Sequence, residues 1–249
     1  IISVPNHPGT DEEIVSLYAD AITDKTRLLM ICHMINITGQ ILPVKKICDM
    51  AHSKGVEVMV DGAHAFGHFR FTIPELSCDY YGSSLHKWLS VPLGSGILWV
   101  KKDKIRKIWP LIASGVSDPD NISRLNHTGT HPVYTDLTVQ ESIDYYRMLG
   151  AERKELRLRH LQQYWTGKVR DLPHIILNTP SDPQRSCAIA NVGVKGITPG
   201  ELGDILLKKY RIYCAPIDGA SVHGCRITPN VYTTLKELDV LVKALKELG

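Results

Sequence analysis

A chain of 249 residues, 43% apolar and 22% charged, has enough core-forming material for one large globular domain or two modest ones. A net charge of +3 is too small to argue for a nucleic-acid partner or a membrane surface, and no apolar stretch is long enough to span a bilayer. Six cysteines are scattered with neither a C-x-x-C nor a zinc spacing. They read as the reduced thiols of a cytoplasmic protein with no signal peptide.

In chain order, Ile1–Val4 reads as a strand already under way. With no initiating methionine, the chain is expected to be the C-terminal part of something longer. Thr10 with Glu13 three residues on predicts a capping box, and Ile14, Leu17, Tyr18 and Ile22 form the apolar stripe of the helix that follows. Arg27–Cys32 is a strand apolar on both faces, as parallel strands are. After a loop at 33–40, Pro43 opens a helix at its first position, with Ile47, Met50 and Ala51 inward and Gly55 as its stop. The strand Val56–Val60 completes a βαβ unit, so a parallel sheet with right-handed crossovers is expected.

A short strand near Asp79–Ser83, another at Gly94–Val100 and a helix at Asp103–Trp109 come next. Residues 114–132, rich in Gly, Ser, Asn, Asp and Pro, form a long loop of the kind that is usually functional. From Tyr134 to about Arg170 the pattern is helical and broken near Gly150, with AERKELRLRHLQQYW charged enough to predict a long surface helix. The remainder predicts a strand over 187–194 and a helix capped by Thr198-Pro199-Gly200-Glu201 with Leu202, Ile205 and Leu206 inward. Strands at Tyr210–Ala215 and Cys225–Ile227 and a terminal helix striped by Leu235, Leu238, Leu241, Leu245 and Leu248 follow. The fold class is therefore α/β. A mostly parallel sheet with helices on both faces occupies 1–151, and a small C-terminal α+β domain occupies 152–249.

The chemistry gathers in residues 56–87. In an open α/β sheet, functional groups collect at the carboxyl ends of strands. Here one strand ends in Asp61-Gly62, and the next runs into Ser83-Ser84-Leu85-His86-Lys87. A carboxylate that keeps a pyridine nitrogen protonated and a lysine that forms a Schiff base suit pyridoxal phosphate. Asp61 could instead cap a helical turn, and Asn36 could be a turn residue in INITG. Asp61, His64 and His68 at i, i+3 and i+7 also permit a metal-dependent hydrolase. That reading leaves Lys87 and Arg226 without a role.

The segments HMINITGQILPV, VDGAHAFGH and SSLHKWL, in this order, resemble the class V aminotransferases among the fold type I pyridoxal phosphate enzymes. The resemblance runs from about Thr10 to the last helix. Its nearest flavour is isopenicillin N epimerase-like, with cysteine desulfurases and selenocysteine lyases as cousins. It implies that Lys87 carries pyridoxal 5'-phosphate, that Asp61 faces the ring nitrogen, and that His64 and Asn36 neighbour the phenolic oxygen. Ser84 then binds the phosphate, and His86 assists proton transfer. Thr130, after Gly129, reaches the phosphate of a neighbouring subunit, making a homodimer with shared sites. Arg226 pairs with the carboxylate of an amino acid substrate, which a guanidinium reads bidentately.

A desulfurase needs a nucleophilic cysteine on a loop, and neither Cys214 nor Cys225 has that setting, so this reading ranks second. The family's first phosphate loop and ring-stacking aromatic residue have no counterpart in residues 1–26. The chain as given is therefore expected to bind the cofactor weakly, and a catalytically silent fragment or scaffold that keeps the fold but lacks the N-terminal cofactor contacts is a further reading.

Overall fold

The computed structural model describes residues 1–249 except 114, 127, 128, 131 and 132. Both ends of the expected loop, Ser114 and Pro132, thus lie outside the described residues. Two four-stranded sheets organise the chain. In the first, β1 (Leu28–Cys32), β2 (Glu57–Asp61) and β3 (Tyr80–Ser84) run parallel in that order, and β4 (Gly96–Val100) pairs antiparallel with β3. This is a mixed, mostly parallel α/β sheet.

Helix α1 (Asp11–Ala21) starts at Thr10, whose hydroxyl accepts the Glu13 N–H. The expected capping box closes one residue early, because the Glu13 carboxylate takes the N–H of Gly9 at 2.7 Å. Helix α2 (Val44–Ser53) has Pro43 just outside its first turn and is ended by Gly55 at φ +72°. Ile14 and Tyr18 of α1 and Val44, Ile47, Cys48 and Ala51 of α2 pack on Leu29, Ile31, Val58, Val60 and Tyr81. The opposite face of β1 exposes Leu28 (49%) and Met30 (67%), so its apolar run is buried on one side only. Ile1–Val4 is not a strand; Ile2 and Val4 lie half-covered against the same core.

The segment after β4 forms a 3-10 turn at Lys102–Lys107 in place of the expected helix. Among the described residues that follow, a further 3-10 turn at Ile122–Leu125 precedes the helical stretch. That stretch is three helices: α3 (Tyr134–Leu137), α4 (Val139–Leu149) and α5 (Ala151–Val169), the last two hinged at Gly150. Helix α5 is not a surface helix. Lys154, Leu158, Leu161, Gln162, Trp165, Thr166 and Val169 are buried along it. Their three- and four-residue spacing is a full inward stripe, which the arginines and glutamates on the other faces obscured.

The second sheet is antiparallel throughout, in the order β5 (Ile175–Leu177), β6 (Ala190–Val194), β8 (Val222–Ile227), β7 (Ala215–Gly219). Helices α6 (Pro199–Tyr210) and α7 (Leu235–Lys246) both begin with a complete capping box. The expected strand at Tyr210–Ala215 is displaced: α6 runs through Tyr210, Arg211 turns left-handed, and β7 begins only at Ala215. The short β5 was not anticipated. A buried joint links the two sheets. The Thr179 hydroxyl donates to the Thr38 carbonyl at 2.6 Å and accepts the Asn191 N–H at 2.8 Å. Gly39 sits so close that a Cβ there would lie 2.1 Å from the Ile189 carbonyl oxygen.

Candidate active site

β2 delivers Asp61 at its carboxyl end, on the face opposite the buried Val58 and Val60. One carboxylate oxygen accepts the Ala63 N–H at 2.9 Å, which turns the chain sharply toward His64. The local capping anticipated as an alternative role for Asp61 therefore exists, through a single oxygen. The glycine after it is obligatory, because a Cβ on Gly62 would lie 1.9 Å from the Tyr81 hydroxyl oxygen. β3 ends next door, with Gly82 in register with Asp61. The Ser83 hydroxyl donates to the Gly62 carbonyl at 3.2 Å, tying the two strand ends together. Beyond Ser84 the chain is anchored by buried Leu85, Leu89 and Val91, which leaves His86 and Lys87 half-buried between the anchors.

Arg226 arrives from the second sheet, on β8. Its Nη1 donates to the backbone carbonyl of Asn36 at 3.2 Å, while its Nε is buried with no hydrogen-bond partner. An unpaired buried guanidinium N–H is costly unless an anion completes it. Arg226 therefore has a donor that no described residue satisfies.

The charges of these groups reach His64. Its pKa is pushed down to about 4, first by burial and then by the positive charges of Lys87 and Arg226 and by His86, with Asp61 opposing. At neutral pH the ring is uncharged. Trp88 Nε1–H donates to its Nδ1 over a long 3.5 Å, so the proton of the neutral ring belongs on Nε2, which is left as a donor.

The geometry does not gather everything. The Asn36 residue is exposed, and its link to the site runs through its backbone. Thr130 lies exposed in the long loop, with no hydrogen bond to the other candidates. The hydrolase reading fails on His68. Its Nδ1 bonds the His64 carbonyl at 2.8 Å and its Nε2 accepts the Ala188 N–H at 3.0 Å, so neither nitrogen is available to a metal. Among the described residues no cluster of His, Cys, Asp and Glu could hold an ion. Sequence reasoning also missed how much hangs on Trp88. Its ring stacks on His68 with centroids 3.6 Å apart, and only its place directly after Lys87 hinted at it.

The residues present fit pyridoxal phosphate by their chemistry. A carboxylate stands at one strand end and an amine after the next. The neutral His64 imidazole feels the charges of both, and of the Arg226 guanidinium as well. Asp61 would hold the ring nitrogen, Lys87 the aldehyde carbon, and Ser84 the phosphate.

A mostly parallel sheet with an acid and a lysine on successive strand ends is the arrangement of fold type I pyridoxal phosphate enzymes. The chain belongs to the class-V aminotransferase family, whose model matches residues 5–241. That family is one of pyridoxal phosphate-dependent enzymes. The isopenicillin N epimerase of Streptomyces clavuligerus is 30% identical over 262 residues, spanning 98% of this chain and 66% of that protein. A probable cysteine desulfurase of Halalkalibacterium halodurans is 26% identical, over 91% of this chain and 59% of its own length. The chain thus spans less than two thirds of these relatives. Among solved structures, the apo cysteine desulfurase of Thermococcus onnurineus NA1 superposes with a TM-score of 0.86 at 20% identity, covering 100% of this chain and 65% of that one.

Proposed function

We propose that this chain carries the catalytic lysine and substrate arginine of a pyridoxal phosphate-dependent enzyme that transforms an amino acid, of the aminotransferase or isopenicillin N epimerase-like kind. The observation that carries this reading is the joining of the strand ends that bear Asp61 and the Ser83–Lys87 run, with Arg226 tied to the Asn36 carbonyl from the second sheet. When bound, the cofactor supplies the electron sink for the carbanion left by loss of the substrate's α-proton.

The chain's own residues do the rest. Arg226 binds the substrate carboxylate with the donors it does not spend on Asn36. Asp61 would hold the ring nitrogen with its carboxylate, and His64, through Nε2, and Asn36 would hold the phenolic oxygen. Lys87 Nζ would take and return the substrate's α-proton, with His86 at hand. Ser84 receives the phosphate. Thr130 serves the phosphate of a second subunit, in a cytoplasmic homodimer whose cofactor-binding part is 1–151 and whose small domain is 152–249.

The second reading is a cysteine desulfurase, favoured by relatives of that name. Against it, five of the six thiols are buried and the sixth, Cys32, is half-buried at the end of β1. Burial pushes the Cys32 thiol up, with Asp61 adding to the effect, which makes it a poor nucleophile. The test is covalent capture. Incubate the chain with pyridoxal phosphate, reduce with borohydride, digest, and weigh every lysine peptide. A pyridoxyl mass concentrated on Lys87 and lost in Lys87→Ala is expected; label spread evenly over surface lysines would leave the silent-fragment reading standing.

A further inference from the structure

Lys154 lies on α5, four residues into the helix, and is only 5% exposed. Its Nζ donates to the backbone carbonyl of Trp88 and stands 5.2 Å from the centre of the Tyr146 ring. Among the described residues no carboxylate lies within ion-pair distance of it. A buried ammonium without a counter-ion is expensive, and the chain places that expense against the carbonyl of Trp88, the residue that follows Lys87. Burial lowers its pKa to about 8, with Cys187 opposing.

The partner it holds is the hub of the site. Trp88 continues the backbone from Lys87. Its indole lies flat on His68, with ring planes 16° apart, and its Nε1–H is the donor that fixes the His64 tautomer. His68 in turn holds Ala188 of the segment entering β6. A pull on the Trp88 carbonyl therefore sets three things together: the course of the backbone leaving Lys87, the height of the indole over His68, and the reach of Nε1 to His64.

We propose that Lys154 is a positioning residue that, through the Trp88 carbonyl, orients the Lys87 amine and holds His64 in its Nε2–H form. The proposal deepens the reading above and rests on it for the role of Lys87; its effect on His64 stands independently.

Two substitutions test it in the whole chain. Lys154→Met fills the same space without a donor, and Lys154→Gln keeps a neutral donor of nearly the same reach. Two readouts apply. Long-range proton–nitrogen NMR of the ring nitrogens reports the His64 tautomer. The fraction of chains pyridoxylated at Lys87 at limiting pyridoxal phosphate reports the lysine, with surface lysines as the internal standard. In Lys154→Met, the expected result is a mixed His64 tautomer and about a tenfold fall in Lys87 labelling relative to the surface lysines. The melting temperature should not fall, because an apolar side chain replaces a buried charge. Lys154→Gln should restore both readouts.

Wild-type tautomer and labelling in Lys154→Met would overturn the proposal. So would a Lys154→Gln protein that folds yet behaves as the methionine variant. If Lys154→Met does not fold, the glutamine variant decides alone: near wild-type readouts support the proposal, and their loss or its own failure to fold overturns it. Absence of label on wild-type Lys87 would sink the functional reading instead, leaving the His64 tautomer to judge Lys154.

Discussion

Along β1 of the first sheet, Leu29 and Ile31 face inward while Leu28 and Met30 face out, whereas all five residues of β6 in the second sheet are buried. The chemistry divides in the opposite sense. The proposed catalytic groups Asp61 and the Ser84–Lys87 run come from the strand ends of the mostly parallel sheet, and the antiparallel one contributes Arg226. Parallel strands deliver all their carboxyl ends to one edge, where turns such as Asp61-Gly62 can carry side chains into a common space. The antiparallel sheet cannot collect ends in that way. It acts as a rigid wall that presents one guanidinium, propped on the Asn36 carbonyl. Changes at the strand ends should therefore alter chemistry with little effect on folding, and changes in the second core should do the reverse.

Asp61→Asn breaks the comparison hardest if it is wrong. The amide keeps the bond to the Ala63 N–H, so the turn survives while the charge is lost. Exchange of a substrate amino acid's α-hydrogen with deuterated water should slow by about 10²-fold or more in the holoprotein, with the urea midpoint unchanged. A near-normal exchange rate would reduce Asp61 to the cap of its turn.

Acid should next open the joint between the sheets. Burial lowers His33 from 6.5 to about 4 and His68 from 6.5 to about 3. Both rings are neutral in the fold, and the unfolded chain takes up protons first. Their contribution is whole above pH 6.5 and erodes as the pH falls, by up to about tenfold in the folding constant per pH unit for each ring. His33 stops contributing near pH 4 and His68 near pH 3. Protonating His68 at Nε2 also removes the acceptor of the Ala188 N–H. Urea midpoints followed from pH 7 to pH 4 should fall, and less steeply in His33→Phe, whose ring can keep the contacts with Phe69 and Phe71. Equal slopes would mean that His33 titrates normally.

How much of this could be read beforehand follows the range of the interactions. Asp61, Lys87 and the capping box at Thr198 are local: an acid closing an apolar run, a lysine after the next strand, a threonine three residues before a glutamate. The burial of α5 was hidden because charge on three faces of a helix says nothing about the fourth. The Tyr210–Ala215 strand was misplaced because a well-capped α6 keeps propagating through aromatic residues that would also suit a strand. His68 looked like a metal ligand because its second partner, Ala188, lies 120 residues away. No spacing rule reaches that far. The role proposed for Thr130 involves a second copy of the chain, and no spacing within one chain registers such a contact.

In the second core, Leu206→Ala should cost about 2–5 kcal/mol, the range for emptying a fully buried leucine site. Leu206 is 0% exposed and packs among Leu161, Trp165 and Leu241 in the cluster that joins α5, α6 and α7. Urea unfolding measures the loss, and Lys87 should still accept the pyridoxyl label under native conditions. A loss of label in folded protein would show that the wall helps to shape the lysine and would erase the division of labour.

Met30→Ser is the smallest effect and the sharpest probe of the open face. Met30 is 67% exposed between Leu29 at 8% and Ile31 at 1%. Truncating an exposed side chain moves stability by no more than about 0.5 kcal/mol. Ile31→Ser, one residue on, both opens a cavity and buries a hydroxyl, and should cost several times as much. The pair separates inside from outside on a single strand. Should Met30→Ser instead lower the urea midpoint nearly as far as Ile31→Ser, the outer face of β1 is covered in solution. Repeating the measurement over a hundredfold range of protein concentration then decides by what. A midpoint that rises with concentration assigns the cover to a second copy of the chain, and one that does not assigns it to residues of the same molecule.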